Sequence, residues 1–449
     1  MQNMMTDKAT LTLRESISIG LLLFGLFFGA GNIIFPVFMG QLSAGNWLYS
    51  NVGFLITAIG LPILGVISFS LSKKENLIEY AQASGKGLGL FFAIALYLTI
   101  GPLFAIPRTA TVAFEVGFSP YAAANPKLFL LAYSLIFFSL VLYFALKPQN
   151  ILNVVGKFLA PLFIALISIL LFACVLMPMG DPSAFEVHDN YQKLAVVAGL
   201  LDGYSTMDAL ASLAFGIIIV QNIRRLGVTE ETAIAKETAK SGLVTIVLMA
   251  FIYTALAYLG ATSLGIMQEA ENGGPIIAQS AFYYFGMFGQ LLLAAAITVA
   301  CLKTAIGLVV SIGETFASKF SVLSYRVWAI GFTLVSFVIA NFGLNTIISI
   351  STPVLMFLYP ITIAYMFLWT INRFIPLKAS AFKLMFIVMG LISIFDFLKA
   401  SPEPLKSSLF GKTLLDFASQ SLPLFDLALS WLIPFVIVLA VILIVMRKK

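Results

Sequence analysis

The sequence predicts an all-α polytopic membrane protein of about twelve transmembrane helices, and three observations carry that prediction. Hydrophobic residues fill 60% of the 449 positions and charged residues 10%, against about a quarter charged in soluble domains. Apolar runs of about 18 residues or more recur from end to end, without the alternating segments of a membrane β-barrel. Two of these runs are interrupted by glycine and polar residues at corresponding places in the chain.

Taken in order, the expected spans lie near 16–40, 46–71, 88–117, 128–146, 150–178, 192–222, 240–262, 286–317, 325–341, 346–372, 380–399 and 428–446. Residues 1–449 then make one transmembrane domain, with five-span blocks near 16–178 and 192–372 and accessory helices near 380–446. The polar stretch Met1 to Glu15 reads as a cytoplasmic tail and not a cleaved signal. With that end inside, inner loops carry Lys8, Arg14, Lys73, Lys74, Lys86, Lys147, Lys157, Arg224, Arg225, Lys236, Lys240, Lys319, Arg326, Arg373, Lys378, Lys383, Arg447, Lys448 and Lys449. The outer face keeps Lys127, Lys193, Lys399, Lys406 and Lys412, which is the bias of the positive-inside rule. Both termini are therefore expected in the cytoplasm. The net charge of +6 reports this topology, so no nucleic-acid partner is expected.

Three loops carry more than a connection. Arg224 to Lys240 reads as a cytoplasmic surface helix. Ser263 to Tyr284 is expected as an external loop apolar enough to pack onto the bundle, either a lid or a plain loop, and Lys399 to Phe425 gives no chemical signal. His188 stands among Asp181, Glu186 and Asp189, and one histidine is a weak metal signal, so a solvated loop is expected. Cys174 and Cys301 both fall in apolar runs and read as packed thiols.

The first interruption is Gly29-Ala30-Gly31-Asn32-Ile33-Ile34-Phe35-Pro36. Gly costs about 1 kcal/mol and Pro about 3 kcal/mol against Ala inside a helix. In lipid, an unwound backbone is tolerated only where it lines a cavity or is buried in protein. The second interruption, Asp202-Gly203-Tyr204-Ser205-Thr206-Met207-Asp208, puts two carboxylates between apolar flanks in the sixth span. Spans one and six each open a five-span block, and paired interruptions are the mark of an inverted-repeat transporter with its site at the repeat interface. Half-helix amino ends suit a carboxylate and carboxyl ends suit cations, so an amino acid zwitterion matches both.

With these runs stand Gly101-Pro102-Leu103-Phe104-Ala105-Ile106-Pro107-Arg108-Thr109-Ala110-Thr111 in the third span and Leu323-Ser324-Tyr325-Arg326 before the ninth. In this order, across almost the whole chain, they resemble the branched-chain amino acid:cation symporter family of BrnQ type. The resemblance implies uptake of leucine, isoleucine and valine across a bacterial cell membrane, coupled to inward sodium, on the LeuT-type fold with broken helices one and six. It suggests no organic cofactor and no obligate protein partner; the lipid bilayer is the surrounding solvent.

Residue roles follow from breaks and resemblance together. Gly29, Ala30, Gly31 and Asn32 are expected to offer backbone N–H groups and the Asn side chain to the substrate carboxylate and a nearby ion, unless the small residues only pack a kink. Tyr204, Ser205, Thr206 and Asp208 are expected to complete the pocket, with Asp208 meeting the ammonium or an ion. Asp202 is the alternative carboxylate, and capping of the second half-helix is the competing account of Asp208. Phe27, Phe28 and third-span residues are candidate apolar walls. Arg108 and Glu115 share one helical face, as a structural pair or a gate, and Glu314 is expected to snorkel or pair with a loop base.

The eighth span departs from the pattern that the resemblance implies. Carbonyls of Gly25, Phe28 and Ala300, with hydroxyls at positions 303 and 304, are the implied sodium ligands; Thr304 keeps its hydroxyl and position 303 is lysine. An ammonium there has three donors for the same carbonyls, and a buried lysine titrates readily, which makes proton coupling chemically plausible. Either Lys303 replaces sodium, or it turns away and sodium binds as the resemblance implies. Enzyme classes find no support, because one His and no Gly-x-Ser-x-Gly turn leave no catalytic constellation. A channel or an amino-acid sensor is the remaining functional alternative.

Overall fold

Since every peptide group in hydrocarbon needs an internal partner, the apolar segments are confined to helix. The computed structural model describes residues 8–122, 125–147 and 160–446 and is built almost wholly of helices. The expected start of the fifth span, Lys157, and Arg447, Lys448 and Lys449 lie outside the described residues. Among the described residues, seven helices are long and apolar enough to cross a membrane, or eight with the bent pair in the sixth span. Exposed Phe251, Phe288, Val247 and Ile136 give the bundle an apolar exterior suited to lipid.

Helix α1 (Leu13–Phe27) starts on a capping box, in which Thr12 and Glu15 each receive the other's backbone N–H. It stops at Phe28-Gly29, and α2 (Ala30–Ser43) begins at once. The first break is therefore two residues long, not the expected eight, and Pro36 lies inside α2. Next come α3 (Trp47–Leu55), a π-turn at Ile56–Gly60, and α4 (Leu61–Ser72). The short α5 (Leu77–Ala81) leads into the third span, where α6 (Lys86–Leu98) and α7 (Ala105–Gly117) flank a π-turn kinked at Gly101.

Helices α8 (Pro126–Ala145), α9 (Ala160–Leu176) and the short α10 (Asp189–Gln192) precede the sixth span. That span divides into α11 (Ala195–Tyr204) and α12 (Asp208–Arg225), bent by 47°. The expected surface helix at 224–240 is not separate. Its residues from Glu231 onward are the first turns of α13 (Glu231–Ser263), with Glu230 as the N-cap and Glu237 buried. The expected loop at 263–284 is helical from Gly273, the start of α14 (Gly273–Lys319), which kinks at Gly286 where φ is +62°. Its first segment packs on α2 and α7, so it covers one end of the broken first span. Then follow α15 (Tyr325–Ala340), α16 (Leu344–Phe374), α17 (Ala379–Ala400), α18 (Glu403–Lys406), α19 (Leu409–Ser421) and α20 (Leu432–Val445). Helices α18 and α19 occupy the stretch for which the sequence carried no signal.

Lipid tails are as apolar as the side chains, so close backbone packing holds helices together here. Helices α2 and α13 meet through glycines: a Cβ on Gly260 would lie 1.9 Å from the Val37 carbonyl oxygen, and one on Gly40 2.0 Å from that of Ala257. Gly53 and Gly199 bring α3 against α11 in the same way, each 1.8 Å from a carbonyl of the other helix. These contacts set the half-helices of both broken spans against α3 and α13.

Candidate functional site

The break at Phe28-Gly29 changes the partners of the surrounding backbone. The Gly29 N–H, which a continuous helix would direct to the Gly25 carbonyl, donates instead to Oδ1 of Asn32 at 2.9 Å. Gly25 thus presents an unclaimed carbonyl at the carboxyl end of α1. The ammonium of Lys303, from α14, stands 3.5 Å from it and donates to it. Beside it the Thr304 hydroxyl donates to the Ala300 carbonyl one turn back, at 3.1 Å.

The other face of Asn32 reaches the second break. Its Nδ2 donates to both the Asp208 carboxylate and the Tyr253 hydroxyl, and Tyr253 in turn donates to Asp208 at 3.4 Å. Asn32, Asp208 and Tyr253 are all buried, so the contact between the two breaks is a buried polar knot. Asp208 opens α12, but Thr206, not Asp208, supplies the hydroxyl that receives the Asp208 N–H. The capping account of Asp208 is therefore set aside: its carboxylate turns to Asn32 on the other broken span. Met207 between them takes φ +63°, the left-handed region that a side chain rarely enters.

Arg108 of α7 is the third member of the arrangement. Its Nη1 donates to the Ser205 carbonyl at 2.7 Å and Nη2 faces that of Thr206 at 3.4 Å. Its guanidinium lies over the Phe35 ring, 5.0 Å from the centroid. Among the described residues it forms no ion pair with Glu115, so the expected structural pair does not exist. Glu115 lines a separate cavity with Gln279 and Gln290 under the first segment of α14.

These groups line a partly open cavity of about 50 Å³. Of the candidate substrate residues, Phe27, Gly29, Ala30, Gly31, Asn32, Thr206 and Asp208 line it, and so does Thr304, a candidate sodium ligand. Arg108 and Met207 join them, and Leu26, Ile100, Ala211, Phe215 and Leu308 form apolar wall. Three expected pocket residues stand elsewhere. Tyr204 stacks on Tyr359 with centroids 3.9 Å apart and is buried behind the break, while Ser205 contributes its carbonyl to Arg108. Phe28 stacks on Phe24 and Tyr253 and does not face the cavity. Asp202 accepts from the Tyr191 hydroxyl at 2.7 Å and borders a different cavity with Lys399 and Asp426. Burial, then the Asp202 charge, raises the Tyr191 phenol well above its ordinary range.

Nothing in the sequence signalled Tyr253, a tyrosine among many in an apolar helix. Arg108 did carry a signal, the cost of a cation in a span, but its partners are carbonyls that only the folded break exposes. His188 uses its backbone N–H on Leu42 at 3.0 Å, and no group of three potential ligands occurs among the described residues.

The "Branched-chain amino acid transport protein" family matches residues 12–449. The branched-chain amino acid permease BrnQ of Lactobacillus delbrueckii subsp. lactis is 42% identical, over 98% of this chain and 99% of that one. The permease BraB of Bacillus subtilis is 41% identical, over 95% and 94%, and the branched-chain amino acid transport system 2 carrier protein of Pseudomonas aeruginosa 39%, over 94% and 93%. In fold the chain resembles MhsT in complex with L-phenylalanine (TM-score 0.53, 16% identity, 96% and 98% covered). It also resembles Mhp1, a nucleobase-cation-symport-1 family transporter (TM-score 0.60, 13% identity, 96% and 93% covered). With a LeuT-like helical fold and a match along nearly its whole length, the chain belongs to the branched-chain amino acid transport protein family, and it is a transporter, not an enzyme.

Proposed function

We propose that this protein imports leucine, isoleucine and valine across the bacterial inner membrane by alternating access, as a cation-coupled carrier with both termini in the cytoplasm. The observation that carries the proposal is the meeting of both breaks at one cavity through Asn32 and Asp208. An amino-acid zwitterion fits there by charge: the amino end of α2 faces the carboxylate, and Asp208 faces the ammonium. The walls of Leu26, Ile100, Phe215 and Leu308 suit a branched aliphatic side chain and offer nothing to a polar one.

For the coupling ion, the position of Lys303 favours the sodium-independent alternative. Its ammonium addresses the Gly25 carbonyl, one of the implied sodium ligands. The proton is then the coupling ion. Sodium held by Gly25, Phe28, Ala300 and Thr304, with Lys303 swung away, is the competing account. Leucine uptake into proteoliposomes separates them: with choline and an inward proton gradient, accumulation supports the proton, and strict sodium dependence refutes it. Lys303→Thr is expected to gain sodium stimulation. Trans-stimulated counterflow distinguishes a carrier from a channel, and binding without transport identifies a sensor.

A further inference from the structure

We propose that Arg108 binds the α-carboxylate of the substrate, together with the backbone N–H groups at the start of α2. The proposal rests on the transport function above and assigns a recognition group within that site.

Four observations support it. Arg108 lines the cavity yet is only 3% exposed, so its charge has little bulk water to solvate it. No carboxylate stands within ion-pair distance of it among the described residues. The nearby Asp208 directs Oδ2 to Asn32 and Tyr253 instead. Of the five N–H donors of a guanidinium, the carbonyls of Ser205 and Thr206 engage one on Nη1 and one on Nη2, which leaves three.

The direction of those remaining donors is limited by what surrounds the group. Its Nη2 lies 2.8 Å from where a Cβ on Gly31 would stand, so the guanidinium abuts the first turn of α2. A carboxylate on the free N–H groups of that turn is then also within reach of Arg108. A planar fork matches a planar carboxylate in two parallel bonds, which a point charge cannot do. Placed so, the anionic end of the zwitterion touches α2 and, through Arg108, the carbonyls of the sixth-span break. Substrate and guanidinium together then tie the two breaks to each other.

The test pairs a residue with the substrate group it binds. Full-length protein is reconstituted, and inhibition of labelled leucine counterflow by unlabelled leucine is compared with that by leucinamide, which lacks the carboxylate. Wild type is expected to prefer leucine strongly. In Arg108→Gln that preference falls by about 10- to 100-fold, the size of one or two charge-assisted hydrogen bonds, while leucinamide inhibition is little changed. Arg108→Lys regains part of it. A variant with lower activity but an undiminished leucine-to-leucinamide preference overturns the proposal and leaves Arg108 a structural tie. If Arg108→Gln does not accumulate in the membrane, phenylglyoxal modification of wild-type Arg108 is read by mass spectrometry. Protection by leucine but not leucinamide supports carboxylate binding; equal modification with and without leucine overturns it. Absence of leucine counterflow in wild type would instead refute the transport function itself.

Discussion

Alanine at Gly31 and at Gly29 should have opposite consequences, although the two glycines stand two residues apart in one motif. Gly31 has helical backbone, so alanine there gains about 1 kcal/mol of helix propensity. Against that gain, the new Cβ would lie 2.8 Å from Nη2 and 3.3 Å from Cζ of Arg108, and 3.3 Å from Phe35. Arg108 is held by the Ser205 and Thr206 carbonyls and cannot withdraw without stretching those bonds. A hydrogen bond to a charged group is worth about 1.5–3 kcal/mol, so the net cost is about 0.5–2 kcal/mol, or roughly 2- to 30-fold in transport efficiency. At Gly29 the nearest atom to a Cβ is Thr304 Cγ2 at 3.6 Å, and φ −128° with ψ −164° is extended backbone that any residue adopts. Gly29→Ala should therefore transport within about twofold of wild type. The assay is leucine counterflow at matched expression in proteoliposomes. A neutral Gly31→Ala beside a crippled Gly29→Ala would refute the claim that Arg108 abuts α2 in the working protein.

Three further expectations follow from other contacts. Asp208→Asn keeps a group able to accept from Asn32 but removes the charge facing the substrate ammonium, and should reduce leucine counterflow by about 10- to 100-fold without loss of folded protein by size exclusion. Gly260→Val drives side-chain atoms into the Val37 carbonyl and should cost about 1–3 kcal/mol or more, read as a lower melting midpoint in detergent, whereas Gly87→Ala, with nothing near its Cβ, should not. At the amino end, the Lys8 ammonium and the Thr12 cap hold the Glu15 carboxyl down to about 2. Its folded-state value is depressed, so its contribution is complete above the ordinary 4.5 and is lost as pH falls through about 2. Glu15→Gln should accordingly speed amide exchange at the start of α1 at neutral pH.

The class of the protein was legible because hydropathy is a sum over hundreds of residues, and no single assignment can reverse it. The location of the candidate site was legible for a different reason: Gly29 to Asn32 and Thr206 to Asp208 are costly in hydrocarbon unless they line a cavity or are buried in protein. The extent of the first break was not legible. Gly29 and Pro36 both oppose helix, and only the Asn32 side chain, by taking the Gly29 N–H, decides that the chain turns at Phe28-Gly29 and tolerates Pro36 inside α2. Tyr204 illustrates a second limit. Its place in a polar motif suggested the pocket, yet a helical period of 3.6 turned its ring onto Tyr359. Glu237 shows the same effect in reverse: its charged neighbours suggested a solvated face, and α13 runs on without interruption and buries it.

The two cations of the site stand in related positions, and their placement bears on coupling. Each broken helix exposes carbonyls at the carboxyl end of its first half, where the helix dipole contributes roughly half a negative charge. Lys303, from the eighth expected span, meets that end of α1 at Gly25, and Arg108, from the third, meets that end of α11 at Ser205 and Thr206. The two differ in one chemical respect. A guanidinium stays charged throughout the accessible pH range, whereas a lysine side chain can exchange a proton. On the proposed mechanism Arg108 is therefore the fixed charge that receives substrate, and Lys303 is the one whose charge can change during a transport cycle. Lys303→Arg makes both ends fixed: it should preserve leucine binding and exchange but abolish accumulation against a gradient. Undiminished proton-driven accumulation in that variant would exclude Lys303 as the coupling group.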